Sequence, residues 1–172
     1  MQRMSDKRNN KITDYLHKAS RYIVNQLVFK KVTDLVIGHN KGWKQDINIG
    51  KVNNQNFVSI PFNRLIEMLN YKCELSGIKV HLQEESYTSK ASFLDLDDIP
   101  IFDVVKVDFE KPEFSGKRVK RGLYKSKQHQ LINADVNGSL NIMRKYSKVA
   151  EKNIMFNFVE ASSAPAVFTV KL

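Results

Sequence analysis

Leu131-Ile-Asn-Ala-Asp-Val-Asn-Gly-Ser-Leu-Asn-Ile-Met-Arg-Lys145 is the stretch around which the chain is organised. It predicts a helix opened by its only carboxylate, Asp135, with Val136, Leu140 and Met143 at i, i+4 and i+7 turned to a core. An acid in a first helical turn answers the positive end of the helix dipole, which is reason enough for an isolated Asp. The surrounding sequence decides whether this one does more.

Immediately before it, Lys117 to Lys127 holds Lys117, Arg118, Lys120, Arg121, Lys125 and Lys127, interleaved with Leu123 and Tyr124. The segment reads as a hairpin, either merely solvated or tracking phosphates. The second reading is favoured by a formal net charge of +10 over 172 residues, an excess that suits a polyanionic partner. A membrane is not expected as a partner. No apolar run approaches the roughly 18 residues of a spanning helix, and no basic helix carries a bulky aromatic face. The first residues lack a signal-peptide apolar region. The single cysteine, Cys73, excludes an intrachain disulfide and a four-cysteine zinc site, so a reducing, cytoplasmic setting is expected.

Farther out, Ser5 to Val28 is an amphipathic helix with Ile12, Leu16, Ala19, Ile23 and Leu27 on its apolar face. Lys7, Arg8, Lys11, Lys18 and Arg21 lie opposite, as a solvated face or as phosphate contacts, and His17 belongs to that polar side. Thr33 to Gly38 reads as a buried strand. A polar loop around Trp43 follows, its indole more suited to anchoring the loop than to stacking on a base. Asn48 to Phe57 reads as irregular.

Pro61 opens a second helix whose stripe is Phe62, Leu65, Ile66, Leu69 and Cys73, and Gly77 ends it. Ile78, Val80 and Leu82 then alternate with Lys79, His81 and Gln83, a strand running into Glu84-Glu85. Strand, helix, strand is a βαβ-like order. Phe93 to Phe114, with Val105, Val107 and Phe109 alternating, suits a small insertion. In the tail from Lys148, Met155–Val159 and Ala166–Val170 are either late strands or a frayed extension.

Several strings together resemble the TnpB (OrfB) family of transposon-encoded RNA-guided nucleases, which carry a RuvC-like domain. They are Val36-Ile37-Gly38-His39-Asn40-Lys41, Trp43-Lys44-Gln45, Glu84-Glu85-Ser86-Tyr87-Thr88-Ser89-Lys90, Gly116-Lys117-Arg118, Arg121-Gly122 and Asn133-Ala134-Asp135-Val136-Asn137. The resemblance runs from about Lys7 to Lys145. It implies an RNase H-like fold, DNA and guide RNA as partners, and two-metal phosphodiester hydrolysis in which separate carboxylates hold Mg²⁺. It makes Asp135 a metal ligand and gives Asn137 a supporting, hydrogen-bonding role.

Three departures shape the expectation. Gly38 stands where most family members place a catalytic Glu. A related subgroup carries a relocated Glu just before Tyr-Thr-Ser, which makes Glu85 the replacement and Glu84 its close rival, unless both are hydrated strand-end acids. The family's zinc ribbon would place its first cysteine pair on Ser92 and Asp95 and its second near Arg121 and Tyr124. With neither pair present no zinc is expected, and packing of Phe93, Leu94 and Tyr124 takes its place. Finally, no segment before Asp34 matches the family's first catalytic Asp motif; Asp6 and Asp14 lie in helical surroundings.

The expectation is therefore an α/β chain, an incomplete RNase H-like (RuvC-type) domain over 1–147 with a zinc-free β insertion at about 89–130, then a tail over 148–172. Glu85 and Asp135 are the expected Mg²⁺ ligands. Lys117, Arg118, Lys120 and Arg121 are the expected nucleic-acid contacts. It resembles the C-terminal portion of an RNA-guided DNA endonuclease, with activity of the piece alone in question. The rivals are a non-catalytic nucleic-acid-binding remnant and a basic partner that docks on another chain. Oligomeric state is not legible.

Overall fold

The computed structural model describes residues 2–40, 61–101 and 112–150, with side chains from residue 6. The sequence readings at Trp43, Asn48–Phe57, Val105–Phe109, Met155–Val159 and Ala166–Val170 lie outside the described residues. The architecture is mixed α/β with two small sheets. The described residues fall into two compact units, one from 2–35 and 61–81, the other from 36–40, 82–101 and 112–150.

In the first unit, α1 (Gln2–Phe29) packs on α2 (Phe62–Glu74). Leu16, Ala19 and Val24 are buried on α1, and Met68, Leu69 and Cys73 on α2. Both helices lie where the i, i+3, i+4 spacing puts them. The buried face of α1, however, is turned toward Ser20 and Val24, and Ile23 and Leu27 are half-buried. Ser20 is accommodated because its hydroxyl bonds back to the carbonyls of Leu16 (2.7 Å) and His17 (3.2 Å). His17 is exposed, as its position among charges implies.

β1 (Asp34–Gly38) pairs with β2 (Lys79–Gln83), and the boundary between the units falls within both strands. Lys79 N donates to Thr33 O and His39 N to Gln83 O, so the partner numbers rise together and the strands run parallel. With α2 between them in the chain, this is the expected strand–helix–strand order. β1 is half-buried rather than buried. The alternation expected for β2 breaks in its second half, where Leu82 is 57% exposed and Gln83 only 8%. His81, expected on an exposed polar face, is half-buried against Asp34, Nε2 to Oδ1 2.8 Å.

The second unit holds β3 (Lys117–Lys120), β4 (Leu123–Lys125) and β5 (Leu131–Asn133), an antiparallel sheet in that order, followed by α3 (Ala134–Val149). Arg121-Gly122 turns the hairpin, with Gly122 at φ +75°, a conformation that costs a Cβ-bearing residue more. Tyr124, Ile132 and Ala134 form a buried cluster, with Leu94, Val136 and Leu140 packed against it. Of the expected Phe93, Leu94 and Tyr124 packing, Leu94 and Tyr124 meet in this cluster, and Phe93 is buried.

Shortening Leu16 to Ala should cost roughly 2–5 kcal/mol of unfolding free energy, while Lys11→Ala on the exposed face of α1 should stay within about 0.5 kcal/mol. Urea titration of both variants measures the contrast.

Candidate functional site

The start of α3 is built to present Asp135. Asn133 caps the helix, its Oδ1 accepting from the backbone N–H of Asp135 (2.9 Å) and of Val136 (3.2 Å). The Asp135 side chain is 76% exposed, and Arg118 of the hairpin approaches it, Nη2 to Oδ1 3.7 Å. So open a pair contributes little stability. It does put one of the expected phosphate contacts beside the expected metal ligand. Lys117, Lys120 and Arg121 are exposed along the same hairpin.

Glu84 and Glu85 leave the end of β2 in different directions. Glu84 meets the ammonium of Lys145, a residue buried on α3, and accepts from the backbone N–H of Ser86 at 2.6 Å. Burial works against the charge of Glu84, yet the bonds from Lys145 and Ser86 hold its carboxyl below the usual range. Lys145 also reaches the carbonyls of Ser86 (3.3 Å) and Pro100 (3.4 Å).

Glu85 is held by its backbone, its N–H donating to Asn40 Oδ1 at 3.0 Å and its carbonyl accepting from Thr88 Oγ1 at 2.8 Å. Its carboxylate lies over Gly38. A Cβ at residue 38 would run into Glu85 Oε2 and fall 2.6 Å from Ile142 Cδ1, two side-chain ends that would have to swing aside. No hydrogen-bond donor to this carboxylate is found among the described residues. Burial pushes its pKa up; the charge of His39 opposes that and the charge of Glu84 adds to it.

Ile142 follows Asp135 by seven residues, which in an α-helix is the same face about 10 Å farther along the axis. Glu85 therefore lies beside Ile142, two helical turns along α3 from the exposed Asp135. Among the described residues no group of three or more His, Cys, Asp or Glu side chains is placed to hold a metal ion. Glu85 and Asp135 do fit one in chemistry: both are oxygen donors, and the first is a half-buried carboxylate lacking a donor of its own.

Asn137 and Asn141, one turn apart, are fully buried. Asn137 Nδ2 donates to Ala91 O (2.8 Å) and its Oδ1 accepts from Phe93 N (3.0 Å). Asn141 Nδ2 donates to both Thr88 O (3.0 Å) and Ala91 O (2.8 Å). Asn137, expected to support the site, is thus bonded to the backbone of Ala91 and Phe93. Asn141 and Lys145 extend the same i, i+4 row and were missed by sequence reading, because a polar row on a helix normally signals solvent. The apolar row Val136, Leu140, Met143 is only half-buried beside it.

Ser92 and Asp95, the positions matching the first cysteine pair of a zinc ribbon, are bonded to each other, Ser92 Oγ to Asp95 Oδ2 2.6 Å. Asp95 accepts also from Lys127 N (2.8 Å) and Ser115 Oγ (3.1 Å), and Asp97 accepts from Ser92 N (2.8 Å) and Ser115 Oγ (2.6 Å). Burial opposes the charge of Asp95, but these donors hold its carboxyl low. Tyr124, 1% exposed, donates to Lys90 O at 2.7 Å. Burial and the charges of Asp97 and Asp95 push its phenol up to about 12. A hydrogen-bonded knot thus ties residues 92–97 to Ser115 and Lys127.

Residues 62–142 match the family described as Cas12f1-like, TNB domain. The matched segment is just under half of the chain. The chain is similar in fold to a protein in a cryo-EM structure of a Cas12f1–sgRNA–target DNA complex, with 17% identity and a TM-score of 0.55. The likeness covers 80% of this chain and 35% of the other, so the chain spans about a third of that protein's length. No curated protein matches it in sequence.

Asn137→Leu keeps the volume and strands the backbone of Ala91 and Phe93. A loss of about 1–3 kcal/mol for each group left unpaired is expected, with faster amide exchange at Phe93, measured by denaturation and hydrogen exchange. For Glu85 the sign follows from its raised pKa. The unfolded chain releases this proton first as pH climbs, so the stability the group contributes at acid pH is lost as pH passes through its folded value. Glu85→Gln should remove that loss and raise Tm at pH 7 with little change at acid pH, as a pH series of thermal melts would read.

Proposed function

We propose that this chain contributes the Glu and the last Asp of a RuvC-type, RNase H-like nuclease centre that cuts DNA under RNA guidance. Glu85 and Asp135 are its Mg²⁺ ligands. On this reading residues 1–147 are the C-terminal part of the nuclease domain, and about 89–130 form an insertion that is held without zinc. The Mg²⁺ ions, bound by these carboxylates, would activate the attacking water and stabilise the leaving oxygen.

The observation that carries this reading is the carboxylate over Gly38. In most of the family that the sequence resembles, the acid belongs at residue 38 itself. Here Glu85 reaches into the volume that a side chain at 38 would fill, while Glu84 is spent on Lys145. This supports a reading in which the acid has changed its place in the chain and kept its place in space.

Asn40 holds Glu85 by the backbone, and Asn133 holds Asp135 by its cap. Arg118 and its neighbours place positive charge beside Asp135, which would offset repulsion between the acids and a phosphodiester. DNA and guide RNA are the proposed partners; both are present in the Cas12f1 complex of similar fold. The sequence before Asp34 offers no counterpart of the family's first catalytic Asp, so weak cation binding and little cleavage are expected of this chain alone.

Calorimetric titration with Mn²⁺ tests the ligand assignment. Glu85→Gln and Asp135→Asn should each weaken binding by about tenfold or more, whereas Glu84→Gln should leave it in place and instead destabilise the fold by isolating a buried Lys145. Gly38→Glu should displace the Glu85 carboxylate and weaken cation binding, and the double variant Gly38→Glu/Glu85→Ala should restore the binding. Full cation affinity in Glu85→Gln would sink the assignment. Replacing Lys117, Arg118, Lys120 and Arg121 together with Ala should weaken DNA retention in a gel shift and flatten its salt dependence.

A further inference from the structure

The first unit contains a buried cation that nothing so far employs. Lys72 of α2 is 3% exposed, and its ammonium donates to His17 O (2.9 Å) and Ser20 Oγ (2.6 Å) across the α1–α2 seam. Both acceptors are neutral, and no carboxylate pairs with Lys72 among the described residues. An ammonium so placed has given up water without gaining a counter-charge. Burial, and then the charge of Arg21, lower its pKa accordingly.

Lys72 lines an open cavity of about 530 Å³ together with Lys18, Arg21, Tyr22, Asn25 and Tyr71. Lys18 is answered by Asp14 at 2.7 Å. Arg21 has no acidic partner among the described residues, so the groove holds two cations without counter-ions. Tyr22 and Tyr71 are 38% and 42% exposed beside them, with Lys72 Nζ 5.7 Å from the centroid of Tyr71. Cations in a groove between accessible aromatic rings form the combination that tracks a single strand, phosphate on charge and base on ring.

We propose that this α1–α2 groove binds single-stranded nucleic acid, one backbone phosphate lying between Arg21 and Lys72 and a base resting on Tyr22 or Tyr71. The proposal rests on the chain being a nucleic-acid-binding protein, but it locates a contact in the other unit from the basic hairpin. A phosphate supplies the charge that Lys72 lacks, and the volume suits a single nucleotide of the strand.

Fluorescence anisotropy with a labelled twelve-nucleotide oligothymidylate and the whole chain tests it. Arg21→Ala should weaken binding about tenfold and reduce the salt slope by about 0.7, the single-strand value for one phosphate. Tyr71→Ala should weaken it by about fivefold or more with the salt slope unchanged. Lys72→Met, which keeps the buried stem, should behave like Arg21→Ala, with its fold checked by circular dichroism; the exposed Arg21 provides the variant least able to disturb packing. Unchanged affinity in Arg21→Ala and Tyr71→Ala, with binding lost in the hairpin quadruple variant, overturns the groove and leaves the nucleic-acid reading standing. If wild type does not bind the strand, both fall. If inorganic phosphate or thymidine monophosphate displaces the strand at equal molar concentration, the site takes an isolated phosphate and the strand proposal is rejected.

Discussion

The constraint on which the second unit depends is the satisfaction of backbone polar groups where the chain has no ladder to join. Between β2 and β3 the described segment 84–101 forms turns rather than helix or strand. Buried N–H and C=O groups in such a segment require partners, since each left unpaired carries its whole desolvation cost. α3 supplies them from one row. Asn137 and Asn141 take the carbonyls of Thr88 and Ala91 and the N–H of Phe93, and Lys145 takes Glu84 and the carbonyls beyond it. Arg144 adds a bond to Asp97 O. The helix that presents Asp135 is therefore the helix that shapes the turn after Glu85.

That arrangement explains why two adjacent acids have separate duties. Glu84 neutralises the deepest cation of α3 and is fixed by it. Glu85, one residue on, lies over Gly38, where no side chain competes with it. A carboxylate without a donor and a carboxylate with an ammonium differ in what they can do next: the first is available to a proton or a metal ion, the second is already committed.

The 92–97 knot follows similar logic with a different currency. Where a metal ribbon would tie two loops with thiolates, Asp95 and Asp97 gather hydroxyl and backbone N–H donors from Ser92, Ser115 and Lys127. Tyr124 closes the same region from within, its hydroxyl bonded to Lys90 O. The aromatic and aliphatic part of this packing was legible from Phe93, Leu94 and Tyr124. The polar part was not, because Asp-Leu-Asp-Asp reads locally as a solvated loop.

Periodicity alone determined the helices, since apolar spacing in α1 and α2 and the Asn133 to Lys145 string reflect the 3.6-residue turn directly. It also determined the strand–helix–strand order and the basic hairpin, whose charge and turn residues are local properties. Only the tertiary structure decided which of Glu84 and Glu85 is left without a donor, because that depends on Lys145 some sixty residues later and on the missing side chain at Gly38. It alone buried Gln83 and exposed Leu82, and turned the polar row of α3 inward, against what hydropathy implies. A residue's neighbours along the chain report its local geometry; the acceptor or cation waiting for it across the fold is set by packing, which no local pattern encodes.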